Sequence, residues 1–328
     1  MCEQAGAAMG IEAASIEKDF WVCWILRELF ALRDIGSNLT FKGGTSLSKG
    51  WKLIERFSED IDVVIGRESL GFGGDKSPER ADGTKERRRR LDALANACRQ
   101  HVNDRIRADL DARLRTKQPR DFEWLLVLDE EDEDQQTLRF TYPARLGGTD
   151  YLRPVVRLEF GARSDVDPTE APEVQPYLSE LFPALLPGAR FAVNTVAPKR
   201  TFWEKAMLLH EEALRDAEPK PRLARHYYDL WCLIRHGVAD KAAEDPDLFR
   251  RIAEHRSVFF RKSQKVIASL KPGSLQVLPA KAHIPAWRRD YEAMREAMFF
   301  GEVPDFYDVM TVVEGFQTKF NQCSAPAR

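Results

Sequence analysis

Between Phe41 and Ile65 the chain reads Phe-Lys-Gly-Gly-Thr-Ser-Leu-Ser-Lys-Gly-Trp-Lys-Leu-Ile-Glu-Arg-Phe-Ser-Glu-Asp-Ile-Asp-Val-Val-Ile. No other segment restricts the possible folds as tightly. Leu39 to Lys42 reads as a short strand. Gly43 and Gly44 then permit a sharp turn and a close approach of backbone to a ligand. Thr45 and Ser46 stand where a helix would begin, so an N-cap hydroxyl is expected there. The free amides of that first turn, with the positive end of the helix dipole, form a phosphate seat. Leu47, Trp51 and Ile54 recur at helical spacing and are expected to face a core, with Lys49, Lys52 and Arg56 towards other faces.

Asp60-Ile61-Asp62 opens a strand that runs through Val63, Val64 and Ile65. Side chains alternate across a strand, so Asp60 and Asp62 point the same way and Ile61 points into the core. Two crowded carboxylates repel each other, and a divalent cation relieves the repulsion. Mg²⁺ (or Mn²⁺) is held in this manner, through one or two carboxylates and the phosphates of a substrate. Alone, a Gly-Gly turn or an Asp-x-Asp strand end is usually nothing more than that. Their succession as strand, turn, helix and strand points to a nucleoside triphosphate with metal-assisted chemistry.

Gly43-Gly44-Thr45-Ser46-Leu47-Ser48-Lys49 followed by Arg56-Phe57-Ser58-Glu59-Asp60-Ile61-Asp62 resembles the first signature of the AbiEii/AbiGii toxin family, which includes the MenT toxins. Glu17-Lys18-Asp19-Phe20-Trp21 resembles the lead-in helix of longer members. Phe202-Trp203-Glu204-Lys205-Ala206 resembles the third signature, built around a lysine. His226-Tyr227-Tyr228-Asp229-Leu230 resembles the fourth, built around an aspartate. The resemblance implies the nucleotidyltransferase fold of DNA polymerase β, with a mixed sheet, helices and a C-terminal helical bundle. It also implies a toxin of a toxin–antitoxin pair, several of which are linked to phage defence. Such a toxin transfers a nucleotide from an NTP to an acceptor hydroxyl, in some members the 3′ end of tRNA, which stops translation; the antitoxin is a separate protein. On this resemblance Asp60, Asp62, Lys205 and Asp229 are the catalytic candidates, and Gly43, Gly44, Thr45, Ser46, Lys49, Arg56 and Ser58 the nucleotide-binding ones.

A length of 328 residues allows one large or two ordinary domains, and 43% hydrophobic residues suffice for a core. The formal net charge is −2, so any RNA contact must come from local patches. Cys2, Cys23, Cys98, Cys232 and Cys323 are too scattered for a metal knuckle, and a reduced, cytoplasmic setting fits them. No apolar run is long enough to span a membrane, and no signal peptide is evident.

Ile16 to Leu32 reads as an apolar helix packed on a sheet, in which Lys18 and Asp19 either line the site or form structural salt bridges. Gly71-Phe72-Gly73-Gly74 is a loop that either closes over substrate or simply links. Glu86 to Arg115 is a charged helix; its run Arg87–Arg90 reads as a solvated face, with an RNA or acidic-partner patch as the alternative. Phe122–Leu128 and Thr137–Tyr142 read as strands whose connection, the acidic run Asp129–Asp134, is a solvated hairpin tip. In the strand Arg153–Arg163, Val156, Leu158 and Phe160 face the core and Glu159 the other side. Glu159 is therefore either a third metal carboxylate or the partner of Arg157 or Arg163. Asp165 to Pro187 reads as irregular, and Phe191 to Val196 as a last strand.

From Thr201 the chain reads as helical, with Thr201 and Glu204 as a capping box and Lys205 in the first turn. Asp229 needs a partner if it is buried, and Lys205 or Arg225 is available. Asp229 is then expected to orient Lys205, with His226 structural. Helices follow around Asp247–Leu270, Ile284–Phe300 and Asp305–Phe320. The first is basic through Arg250, Arg251, Arg256, Arg261 and Lys262, which reads as a solvated face or a wall of an RNA cleft. The chain is expected to form a nucleotidyltransferase domain over residues 1–198 and a helical domain over 199–328, with the active site between them. A small-molecule or protein acceptor stays open, as does a non-catalytic binding protein on the same fold.

Overall fold

The computed structural model describes residues 1–117, 123–146, 153–215, 217–260, 264–301 and 303–323. The chain forms two compact units, Met1–Trp51 with Phe57–Val196, and Lys52–Arg56 with Ala197–Arg328. Five residues from the middle of the first signature thus belong to the second unit.

The first unit begins with α1 (Cys2–Met9) and α2 (Ala13–Phe30). β1 (Leu39–Lys42) runs into α3 (Gly43–Thr45), which continues as a π-helical turn over Ser46–Gly50, and β2 covers Ile61–Ile65. A long helix follows, made of α4 (Gly83–His101), a π-helical stretch over Val102–Ile106 and α5 (Arg107–Lys117). Then come β3 (Leu125–Leu128), β4 (Thr137–Thr141), β5 (Val155–Gly161), β6 (Thr169–Glu170), β7 (Glu173–Val174), α6 (Tyr177–Leu181), β8 (Phe191–Ala192) and β9 (Thr195–Val196). Among the described residues the main sheet has the strand order β3-β4-β5-β2-β1-β9-β6, while β7 and β8 pair separately. β2 runs antiparallel to β1 and parallel to β5, so the sheet is mixed, as expected.

Period-2 patterning shapes the centre of this sheet. Val156, Leu158 and Phe160 are buried along β5, while Val155, Arg157, Glu159 and Gly161 are half-buried on the other face. α2 covers the apolar side. Its Ile16, Val22, Ile25, Leu26 and Leu29 are buried, and Trp21 stacks on Tyr142 with ring centres 5.7 Å apart. The lead-in helix is therefore a packed core helix, as the sequence indicated. Among the described residues no helix is long and apolar enough to cross a membrane.

Several expectations are corrected. The helix of the first signature ends at Gly50; Lys52 then takes a left-handed φ of 53°, and Trp51 and Ile54 are not on a helix. The irregular stretch after Asp165 contains β6, β7 and α6, and the single strand at Phe191–Val196 is two short strands in different sheets. These pieces are too short to carry a periodic signal. Phe122 lies outside the described residues, and β3 begins at Leu125.

The charged runs are explained by their neighbours. Arg89 and Arg90 bind Glu86 on their own helix, at 2.7 and 2.8 Å, and Arg90 also donates to the Ser77 carbonyl. The tip of the β3–β4 hairpin is largely exposed, except for Asp129, which is buried 3.1 Å from Arg157.

The second unit is helical: α7 (Pro198–Ala213), α8 (Arg225–Arg235), α9 (Val238–Ala243), α10 (Pro246–Phe259), α11 (Gln264–Ser269), α12 (Ile284–Met298) and α13 (Phe306–Cys323). Trp203 anchors its core against Phe249 and Phe320, each with ring centres 4.9 Å away. α7 starts four residues earlier than the capping-box pattern suggests, with Pro198 in its first turn. Pro at that position is pre-set for the helix and lacks only an N–H that would be unpaired anyway. Thr201 is consequently inside the helix and buried, Glu204 binds Arg200 at 3.0 Å, and Lys205 is in the second turn. On the basic helix, Arg256 is buried in a two-pronged pair with Glu211, not solvated; Arg261 and Lys262 lie outside the described residues.

Candidate active site

In the first unit, β1, α3 and β2 bring Gly43 against Asp62. Gly43 has φ 82°, and a Cβ built on it would stand 1.9 Å from Asp62 Oδ2. Glycine is thus required twice, for the backbone angle and for the space the carboxylate occupies. Across the sheet, Lys42, Asp62, Glu159 and Thr137 are aligned in register on β1, β2, β5 and β4. Directly paired residues point to the same face, so Asp62 and Glu159 are neighbours. Glu159 also lies 3.5 Å from Arg157, the ion pair that the sequence offered as the alternative to a metal role.

The turn is tied together by its own hydroxyls. Thr45 and Ser46 are fully buried, and neither caps the helix, which starts at Gly43. Thr45 Oγ1 donates to the carbonyl of Asp60 and accepts from Ser58 Oγ at 2.9 Å; Ser46 Oγ donates to the carbonyl of Gly43 at 2.9 Å. The expected N-cap role is therefore corrected. The hydroxyls of Thr45 and Ser58 tie the turn to the strand entry at Asp60, while that of Ser46 closes the turn on Gly43; the groups a phosphate would meet there are the backbone amides of the first turn, from Gly43 and Gly44.

Asp60 lies just before β2 and is half-buried, as is Asp62. Among the described residues no three His, Cys, Asp or Glu side chains converge as metal ligands, so Asp60, Asp62 and Glu159 are not a ready-made trio. The donor set nevertheless suits a hard divalent cation. It consists of carboxylate oxygens beside a phosphate-type turn, in which the missing side chain of Gly43 makes room for the Asp62 carboxylate itself.

Two cations of the first unit are held elsewhere. Lys49 is buried, 2.6 Å from Asp19 and 3.4 Å over the Tyr177 ring, and Asp19 also accepts the Tyr177 amide at 2.7 Å. Burial opposes charge on Lys49, but Asp19 overcomes it and holds the ammonium above its ordinary range. The expected nucleotide contact of Lys49 is replaced by this anchor, which joins α2, the signature turn and α6. Lys18 binds Glu59 and donates to the carbonyl of Arg153 at 3.0 Å. Lys18 and Asp19 thus take the salt-bridge role.

In the second unit, Arg56, Lys205 and Asp229 form one buried cluster. Arg56 grips Asp229 with two hydrogen bonds, Nε to Oδ1 at 2.7 Å and Nη2 to Oδ2 at 2.9 Å. Lys205 Nζ lies 2.8 Å from the same Oδ2, and 3.4 Å from His226 Nδ1. Burial works against charge on Asp229, yet Arg56 and Lys205 together hold its carboxyl well below the usual range. Burial moves Lys205 down, with Asp229 opposing. One carboxylate between two cations leaves this trio with an excess positive charge, suited to an anion. The expected partnership of Lys205 and Asp229 is present. Arg56, which sequence reasoning sent to the nucleotide, is the second partner, and nothing in the sequence links it to a residue so far along the chain. His226 carried a readable signal, since it sits one helical turn before Asp229.

Residues 24–322 match the sequence model of the family described as "Nucleotidyl transferase AbiEii toxin, Type IV TA system". The chain belongs to the AbiEii family. As a nucleotidyltransferase toxin of a type IV toxin–antitoxin system, this AbiEii protein uses an NTP and has an antitoxin partner. A comparison with solved structures aligns the chain with the MenT4 nucleotidyltransferase toxin from Mycobacterium tuberculosis H37Rv, with 18% identity, a TM-score of 0.44, and 98% of this chain and 99% of that one covered. Comparison with curated proteins finds no match.

Proposed function

We propose that this AbiEii toxin transfers an NMP from an NTP to the 3′ end of tRNA, in the cytoplasm, and thereby stops translation, in a setting such as phage defence. The observation that carries the nucleotide site is the contact between Gly43 and Asp62, which sets a phosphate-type turn directly beside a carboxylate. The first-turn amides at Gly43 and Gly44 receive phosphate oxygens, with Thr45, Ser46 and Ser58 holding the turn in shape. Asp60 and Asp62 are the residues that would hold Mg²⁺, with Glu159 as the neighbouring carboxylate in register. When bound there, the cation supplies charge screening for the attacking and leaving oxygens. In the second unit, Lys205 neutralises triphosphate charge, and Asp229, gripped by Arg56, positions it. The tRNA acceptor is supported by the family resemblance rather than by any base-reading surface.

The test is incubation of the purified protein with each labelled NTP, total tRNA and Mg²⁺, followed by mapping of the label. Label at the tRNA 3′ end, absent with the Asp62→Ala variant, is the expected result. Label that appears only in RNA-free extract moves the acceptor to a protein or small molecule. Full labelling by the Asp62→Ala variant overturns the carboxylate assignment.

A further inference from the structure

We infer that His226 is a positioning residue, which together with Asp229 clamps the Lys205 ammonium so that one N–H is directed at an oxygen of the substrate triphosphate. The inference rests on the reading of Lys205 as the triphosphate cation. Lys205 comes from α7, while His226 and Asp229 lie three residues apart on α8 and so share a face. An ammonium carries three donors and no acceptor. Asp229 Oδ2 at 2.8 Å takes one donor, and His226 Nδ1, at a longer 3.4 Å, is placed to take a second. Two fixed corners of a tetrahedron determine where the remaining N–H points.

That arrangement demands a particular state of the ring. Nδ1 accepts a hydrogen bond only in neutral imidazole with its proton on Nε2. The surroundings enforce neutrality. Burial is the largest influence, and Lys205, Arg225 and Arg56 add to it, so that the ring stays well below its ordinary range despite Asp229. A protonated ring would place two cations against each other at the same spot. A lysine held in this way has already lost the side-chain freedom that a flexible lysine surrenders on meeting an anion, and pre-organisation of that kind tightens binding.

The experiment measures the dissociation constant of an α,β-non-hydrolysable NTP for the full chain, together with KM and kcat. His226→Leu removes the acceptor while keeping a branched side chain of similar bulk; His226→Asn returns an oxygen near the Nδ1 position. Loss of one net hydrogen bond predicts NTP binding and KM about five- to tenfold weaker in His226→Leu. The Asn variant should stay within about twofold of wild type, the change in KM should exceed that in kcat, and His226→Leu should have no further effect in a Lys205→Met background. Equal weakening by Leu and Asn, or an undiminished Leu effect without Lys205, overturns the clamp in favour of simple packing. Normal NTP binding by Lys205→Met overturns the reading of Lys205 itself. Weak binding by Lys205→Met beside wild-type binding by His226→Leu overturns only the role of His226. Should His226→Leu fail to fold, ¹⁵N NMR of the histidines in the wild-type chain decides, because a cationic or Nδ1-protonated His226 at neutral pH overturns the clamp.

Discussion

Gly43 and Asp62 occupy the same small volume: any Cβ at position 43 would lie 1.9 Å from the Asp62 carboxylate. The backbone there is also left-handed, at φ 82°. Gly43→Ala is therefore expected to displace Asp62 and to cost about 1–2 kcal/mol in backbone strain alone. Nucleotide transfer should fall by about 10²-fold or more, the scale of losing one electrostatic contact in a transition state. Label transfer and urea unfolding on the same preparation check both halves. Unchanged transfer would show that Asp62 can move without consequence.

Asp60→Ala and Asp62→Ala should each lose transfer by roughly 10²–10³-fold or more. Both side chains are only half-buried, so stability should change by no more than about 1 kcal/mol. Chelation with EDTA should abolish transfer by the wild-type protein, and added Mg²⁺ should restore it. Transfer that survives EDTA, or a variant that unfolds at ordinary temperature, would count against a metal role for these carboxylates.

The strand-turn-strand core of the first unit was legible because its signals are local. Alternation in β5 revealed Glu159, and the Gly-Gly turn before Asp60-Ile61-Asp62 gave the order of parts. The partnership of Lys205 with Asp229 was legible only as a buried acid that needs a cation. What could not be read is long-range pairing. Lys49 and Arg56 look like phosphate cations beside a phosphate turn, and only the tertiary fold shows that they face Asp19 and Asp229. Thr201 misled for a different reason, since a capping-box spacing was outweighed by Pro198, which begins a helix without a side-chain cap. The two-residue strands β6 to β9 are held by their neighbours in the sheet and have no period of their own.

Lys49→Met should destabilise the protein by about 3–5 kcal/mol, because it strands a buried Asp19 carboxylate. Pairing it with Asp19→Leu removes the stranded charge and should recover most of the loss. A deficit of about 1–3 kcal/mol should remain, because the Tyr177 amide then loses its acceptor. Urea unfolding of the two single variants and the double variant measures this. A double variant as unstable as Lys49→Met alone would show that the pair contributes through packing rather than charge.

The two α8 residues beside Lys205 should leave separate marks on stability against pH. Asp229 has a folded-state pKa depressed below the ordinary carboxyl value of 3.8, so its contribution is complete above that value and is lost as pH falls below it. Asp229→Asn should flatten that acid limb while lowering stability at neutral pH. His226 is held below its ordinary 6.5, first by burial and then by Lys205, Arg225 and Arg56, with Asp229 opposing. The unfolded chain therefore takes up a proton there that the folded protein refuses, and stability falls as pH drops through 6.5, by up to about 1.4 kcal/mol per pH unit. His226→Asn should lose less stability than wild type between about pH 7.5 and 5.5. Some slope should persist, because His101 and His210 are also shifted down, each chiefly by burial. Urea unfolding at pH steps across this window gives the two curves; parallel curves for wild type and His226→Asn would mean that His226 takes up its proton as readily in the folded protein as in the unfolded chain.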